Sequence, residues 1–257
     1  MSYRTWLKDV THLNDISPWE STLDGCHKDW EKMDEARDTK LFDYWKKPLS
    51  ERIQNQRFFN SSMHDSQFIG LSQEDNKAII TLNDLDAETL INDVCEINNL
   101  KHPGVVIPID FEFQDVVYCT SLRHDLKFKL RYDNITTSTS SNSDFQLNFR
   151  RDWFFEQEER LQFICEIRSS RAKQKLSDSI YILIDCATAT AVDRRLPALK
   201  KLFGPNIAPL WNDYLNRIDF PAKPIYYPQY VGGFIDYFNR RLPVHGLTWN
   251  DLKFQNP

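Results

Sequence analysis

The feature that most constrains this chain is a run of period-two apolar spacing in its second half. In Phe145-Gln-Leu-Asn-Phe149 the apolar residues alternate with polar ones, and in Leu161–Ile167 the side chains of Leu161, Phe163, Cys165 and Ile167 share one side. Alternation over this length specifies a strand with one buried face. Ser179–Val192 follows with a high share of β-branched residues, and Arg168–Lys175 between them reads as a basic turn. The spacing predicts an antiparallel hairpin here, because consecutive strands joined by a short polar segment pair that way.

Other segments extend the β pattern towards the N-terminus. Phe68–Leu71 and Ala78–Leu82 are short β-prone runs separated by Gln73-Glu-Asp-Asn-Lys77, whose residues suit a turn. Val105–Phe113, Val116–Cys119 and Leu126–Tyr132 are further strand candidates. Thr136–Ser143 holds only small polar residues and reads as a loop or linker.

Helical spacing sits outside this region. Ser17-Pro18-Trp19-Glu20 combines an N-cap residue, Pro at the first helical position and Glu three residues after the cap. Trp19, Leu23, Cys26, Trp30 and Met33 then recur at steps of three and four, and Leu41, Tyr44 and Trp45 continue the face to Lys47-Pro48. A second short helix is expected over Leu49–Phe59. Pro197–Leu202 and Ile207–Ile218 look helical, with Gly204-Pro205 between them. The tail from Phe220 is rich in Pro and aromatic residues, with one short helix expected at Phe234–Arg241.

Strands grouped between helices imply an α+β fold: N-terminal helices, antiparallel sheet or sheets, then C-terminal helices and a Pro-rich tail. The length admits one large domain or two small ones. The expected parts are a helical segment 1–60, a β-rich part 61–135, and a hairpin followed by helices over 144–257, with 61–257 as one domain the alternative.

Composition narrows the chemistry. Glycine numbers 7 of 257 residues, so phosphate loops built on glycine are disfavoured, and no GxGxxG, Walker loop, HExxH or GxSxG is present. Gly232-Gly233 reads as a bend. Asp84, Asp86, Glu88 and Asp93 lack the ligand order of an EF-hand and read as a loop and a helix start. No apolar run is long enough to cross a membrane, and no secretory leader is expected from the first ten residues. The five cysteines form no CxxC pair, which fits reduced thiols in a cytoplasm. Asn60-Ser-Ser and Asn134-Ile-Thr are therefore read as chance matches to the glycosylation tripeptide.

Charge is uneven. Residues 1–128 carry 23 acids and 14 bases, and residues 129–257 carry 14 acids and 18 bases. The acidic half suits a docking surface for a basic partner. Arg150-Arg151, Arg168/Arg171/Lys173/Lys175, Arg194-Arg195 and Lys200-Lys201 lie near Trp153, Phe154 and Phe155, but the chain as a whole is acidic, so a nucleic-acid role is not expected. These bases read as solvated turns and helix faces.

Two His-Asp dipeptides, His64-Asp65 and His124-Asp125, are the candidate metal or acid–base residues. Each precedes a strand-like run. Helical phosphohydrolases carry such a dipeptide too, but on helices. The competing reading is that the pair hydrogen-bonds nearby backbone and fixes the strand entrance. The stretch Ser62-Met-His-Asp-Ser-Gln-Phe-Ile-Gly-Leu71, followed by a hairpin and more strands, resembles bacterial families in which a His-Asp-Ser or His-Asp-Ala opens a small β-domain. The resemblance spans residues 60–132 and implies a bacterial cytoplasmic protein. It supplies no catalytic residue and no cofactor.

The reading that follows is a non-enzymatic binding protein, immunity-like or regulatory, with no cofactor and no bound metal, that uses an acidic surface against a basic partner. The alternative is a metal-assisted hydrolase in which His64, Asp65, His124 and Asp125 converge.

Overall fold

The computed structural model describes residues 50–59, 63, 65–123, 135–136, 145–157, 159–171, 179–216 and 233–254. The expected N-terminal helix of Ser17–Trp45, the Leu126–Tyr132 strand and Gly232 lie outside them. The chain divides into two compact units. One comprises residues 1–82 and 110–192, the other residues 83–109 and 193–257.

The first unit is a sheet with ten strands among the described residues. In chain order they are β1 (Ile53–Gln54), β2 (Gln67–Glu74), β3 (Lys77–Asn83), β4 (Pro108–Gln114), β5 (Tyr118–Arg123), β6 (Ile135–Thr136), β7 (Phe145–Gln157), β8 (Arg160–Arg171), β9 (Ser179–Cys186) and β10 (Thr188–Asp193). Their spatial order is β1-β10-β4-β3-β2-β7-β8-β9-β5, with β6 beside β2. The fold class is α+β with a mostly antiparallel sheet. β7 and β8 pair antiparallel from Phe145↔Arg171 to Gln157↔Arg160, and β8 and β9 from Leu161↔Cys186 to Arg168↔Ser179. One pair is parallel: Ile53 of β1 lies against Ala189 of β10.

The β2–β3 hairpin turns at Asp75-Asn76, where Asp75 takes a left-handed φ of 49°. Asp tolerates that region because its short side chain can bond locally. The Asn76 carbonyl accepts from the Val116 amide at 2.7 Å, which ties this turn to the one that follows β4.

The core of this unit is aromatic. Phe59, Phe111, Phe113, Phe149 and Phe163 are fully buried or nearly so, and their rings meet at tilted or edge-to-face angles. Ring centroids of Phe111 and Phe149 are 5.7 Å apart at 82°, the arrangement that an aromatic quadrupole favours.

Several expectations need correction. No helix forms over residues 50–59: Ile53–Gln54 is a strand, Asn55 has a left-handed φ of 54°, and only Gln56–Phe58 makes one 3-10 turn. Tertiary pairing overrides the local spacing, since Ile53 is buried beside β10 and the Asn55 side-chain amide donates to the Ala191 carbonyl at 2.7 Å. Arg168–Arg171 is not turn but the end of β8, held by register with β7. Thr136 pairs with Gly70 in β6 and β2, so the expected loop does not begin there; residues 137–144 lie outside the described set. Ser179–Val192 is two strands that part at Ala187, whose amide donates to the Gln114 carbonyl at 3.0 Å. β8 is also not half-buried: every residue of Leu161–Ile167 is buried, Gln162 and Glu166 included.

The second unit is helical. α1 (Leu85–Asn98), α2 (Arg195–Phe203), α3 (Ile207–Asn216) and α4 (Gly233–Arg241) enclose one apolar cluster. α1 contributes Ala87, Leu90, Ile91, Val94 and Cys95, a stripe at helical spacing. Trp211 and Tyr214 of α3 meet Tyr237 and Phe238 of α4 in a chain of ring contacts, 5.3 Å from Trp211 to Tyr214 and 5.6 Å on to Tyr237. Gly204 closes α2 with φ of 80°, which a Cβ would oppose. The helices at Pro197–Leu202, Ile207–Ile218 and Phe234–Arg241 thus form close to their expected limits. No helix among the described residues is long and apolar enough to cross a membrane.

Candidate functional site

Of the four His-Asp candidates, the structure describes Asp65 alone; His64, His124 and Asp125 lie outside the described residues. Asp65 has a left-handed φ of 68° immediately before β2. Its amide donates to the Phe149 carbonyl at 2.8 Å, and the Phe149 amide donates to the Ser66 carbonyl at 2.8 Å. Its carboxylate accepts from Arg150 Nη1, with both side chains about one-third exposed. These bonds fasten the entrance of β2 to β7. Among the described residues no group of three or more His, Cys, Asp or Glu side chains is placed to hold a metal ion.

Charge chemistry concentrates instead in the helical unit, around α1. Asp84 is its N-cap: Oδ1 accepts from the Ala87 amide at 2.7 Å, filling one of the donors a helix start leaves open. Oδ2 accepts from Arg195 Nη1 at 2.8 Å. Arg195 also donates from Nε and Nη2 to the two oxygens of Asp193, both at 2.9 Å, and its guanidinium lies 5.4 Å from the Trp211 ring centroid. Both Asp84 and Arg195 are buried. Burial pushes the Asp84 carboxyl up to about 6, more than the neighbouring guanidinium of Arg195 pulls it down. Burial acts against the Arg195 charge too, but the bonds with Asp193 and the field of Asp84 outweigh it, and Arg195 stays protonated. Arg195 was expected among solvated bases; it is the internal counter-ion of this unit.

The next acids of α1 also have donors. Tyr214 Oη donates to Asp86 Oδ2 at 2.7 Å, and Asn83 Nδ2 donates to Glu88 Oε2 at 3.2 Å, with His102 Nε2 3.2 Å from the other oxygen. The C-terminal half differs. Asp93 and Glu96 have no cation or hydrogen-bond donor against their carboxylates among the described residues. Burial, and then the adjacent Glu96 charge, raise the Asp93 pKa. No basic residue occupies the last turn of α1, where the helix dipole is negative and a cation is favoured. Ile97 and Leu100, beside these acids, are 41% and 38% exposed, as is Leu85 at the helix start at 42%.

A further cluster closes the C-terminal helices. Asp213 Oδ2 accepts from Arg241 Nε at 2.9 Å and lies 2.6 Å from His245 Nε2, with Arg241 Nη2 also against it. Burial alone would raise the Asp213 pKa, but the bonds from His245 and Arg241 lower it. The cluster clamps α3 to the end of α4 and the turn after it.

Comparisons with protein-family models, with curated proteins and with solved structures find no match to this chain.

Sequence reasoning singled out Asp84, Asp86, Glu88 and Asp93 and set them aside as a loop and helix start, which is the backbone position of the first three; Asp93 lies in the second half of α1. It did not find the Asp84–Arg195 pair, 111 residues apart in the chain. The signal available was weaker: a helix with four acids and no base, ending in Ile97 and Leu100, whose last turn is electrostatically unbalanced.

Proposed function

We propose that this chain is a non-enzymatic binding protein, immunity-like or regulatory, that receives a basic partner on an acidic surface. One observation carries the reading: Asp93 and Glu96 stand on α1 without a cation among the described residues, while the acids of the helix start are all bonded. Segment 83–109 as a whole holds five acids and one base, Lys101. Uncompensated carboxylates steer a positively charged partner and gain from its approach. The test is affinity capture from a lysate of the source cell at low and high salt, with the intact chain and with the Asp93→Lys/Glu96→Lys variant. A stoichiometric basic partner should be retained by the intact chain at low salt and lost in the other arms. Retention indifferent to salt and to charge reversal would overturn the reading.

A further inference from the structure

We propose that the start of α1 is a pH-responsive clasp: Asp84, Arg195 and Asp193 hold the helical unit closed more tightly in mildly acid solution, and the unit opens more readily as the pH rises past neutrality. The unit is built from two separate stretches of chain, 83–109 and 193–257. The start of the first stretch, its end, and the start of the second are bonded to one another in one place. The Asn83 side-chain oxygen accepts from the Ile107 amide at 2.7 Å, and the Asp84 amide donates to the Ile107 carbonyl at 3.0 Å. The Arg194 amide donates to the Pro108 carbonyl at 3.2 Å. The bond from Arg195 to Asp84, at 2.8 Å, is the charged link between the two stretches at this junction.

The charges around Asp84 favour a proton there. Among the described residues Asp84 is bonded to one cation, Arg195, and that cation is shared: Nε and Nη2 go to Asp193 at the end of β10, and Nη1 goes to Asp84. Asp86, two residues on in α1, sets a like charge near Asp84 and is itself faced by the neutral Tyr214 of α3. Glu88 is faced by Asn83 and His102. Asp84 and Arg195 are both buried, so water does little to screen them. A buried carboxylate that shares its guanidinium with a second carboxylate and has a third beside it is eased by protonation.

The sign follows from where the proton binds more tightly. Burial raises the Asp84 carboxyl to about 6 against the pull of Arg195, with Asp86 adding to the rise, and an opened unit returns it to its ordinary value of 3.8. The closed unit therefore holds the proton better, and the stability this confers is lost as the pH rises through 6. With those two values the opening equilibrium grows by about tenfold between pH 5 and pH 7.5. Asp213, whose carboxyl is held below its ordinary value, stays ionised across this range. α1 begins at the clasp, so its hold on the unit is what becomes pH-dependent.

Amide hydrogen exchange of the whole chain at pH 5 and pH 7.5, with the intrinsic rates divided out, reads the opening of α1 and α2. In the intact chain the opening constants of these amides should be about tenfold larger at pH 7.5. Asp84→Asn keeps a capping residue and removes the titrating group, so it should flatten that step while leaving the amides of β8 and β9 as they were. Asp84→Ser, a second capping residue, should flatten it too, and melting curves show that each variant folds. A step that survives in both variants would assign the response to another group, such as His245 beside Asp213, and overturn the proposal. No step in the intact chain, or one of the opposite sign, would overturn it as well.

Discussion

Replacing Arg195 by Met isolates what the buried charge pair does for the helical unit. The side chain makes three charge-assisted bonds, one to Asp84 and two to Asp193, and covers the Trp211 ring. Met fills similar space but leaves the buried Asp84 carboxylate without its cation. Breaking a buried pair from one side costs about 3–5 kcal/mol near neutral pH, because the remaining charge is stranded. The pH dependence carries the diagnosis. Asp84 has a folded pKa of about 6, above its ordinary value of 3.8, so its contribution is fully present below about 4 and is lost as pH rises through 6. Without Arg195 the lowering influence disappears and the carboxyl moves further up. The penalty of Arg195→Met should therefore be smaller at pH 5, where Asp84 folds protonated, and grow towards pH 8 by about 1.4 kcal/mol for each unit of further rise. Adding Asp84→Asn, which caps a helix as well as Asp does, should recover roughly 1–3 kcal/mol of the loss at pH 8. Urea denaturation of the three proteins at pH 5 and 8 measures these differences. A penalty that is the same at both pH values, with no recovery from Asp84→Asn, would show that Arg195 acts by packing alone.

Two further outcomes are expected. Asp65→Ala should cost roughly 1–2 kcal/mol, mostly from placing Ala in a left-handed conformation, since the partly exposed pair with Arg150 is worth at most about 1 kcal/mol. Asp65→Gly should cost less, and a chelator should leave the melting temperature of the intact chain unchanged; a chelator-induced drop that Asp65→Ala abolishes would restore the metal reading. Asp213→Asn should cost about 1–3 kcal/mol at pH 7 by loosening Arg241 and His245. Because the Asp213 pKa is lowered, that advantage is present above its ordinary value of 3.8 and lost as pH falls through the folded value, so acid titration of stability should bring the two proteins together at low pH.

What the sequence made legible is what short-range periodicity encodes. The β2–β3 hairpin, the β7, β8 and β9 strands, and helices α2, α3 and α4 follow from alternation, helical spacing and turn residues within a few positions of one another. The failures involve partners distant in the chain. Ile53 is a strand residue because β10 lies beside it, and the Asn55–Ala191 bond that fixes this edge joins residues 136 apart in the chain. Gln162 and Glu166 look like the wet face of β8, yet both are buried. Arg195 reads as a surface base beside Arg194 until the fold sets Asp84 against it. The charge asymmetry was visible in composition, but composition does not say which carboxylates are consumed by internal donors, and that distinction is what locates Asp93 and Glu96.

The two ends of α1 therefore do different work. At its start, Asp84, Asp86 and Glu88 meet donors from α2, α3 and the adjoining chain, so each charge is spent on holding the unit together. At its end, Asp93 and Glu96 repel one another, and Glu96 lies in the last turn, an unfavourable position in the helix dipole. Replacing them by Gln should leave the fold intact or firmer. The same α1 segment thus separates the two properties: substitutions around Asp84 should change melting without changing partner retention by folded protein, and substitutions at Asp93 and Glu96 should change retention without lowering the melting temperature. A variant at the C-terminal end that loses both together would mean that its acids serve the fold, and the binding reading would lose the observation it stands on.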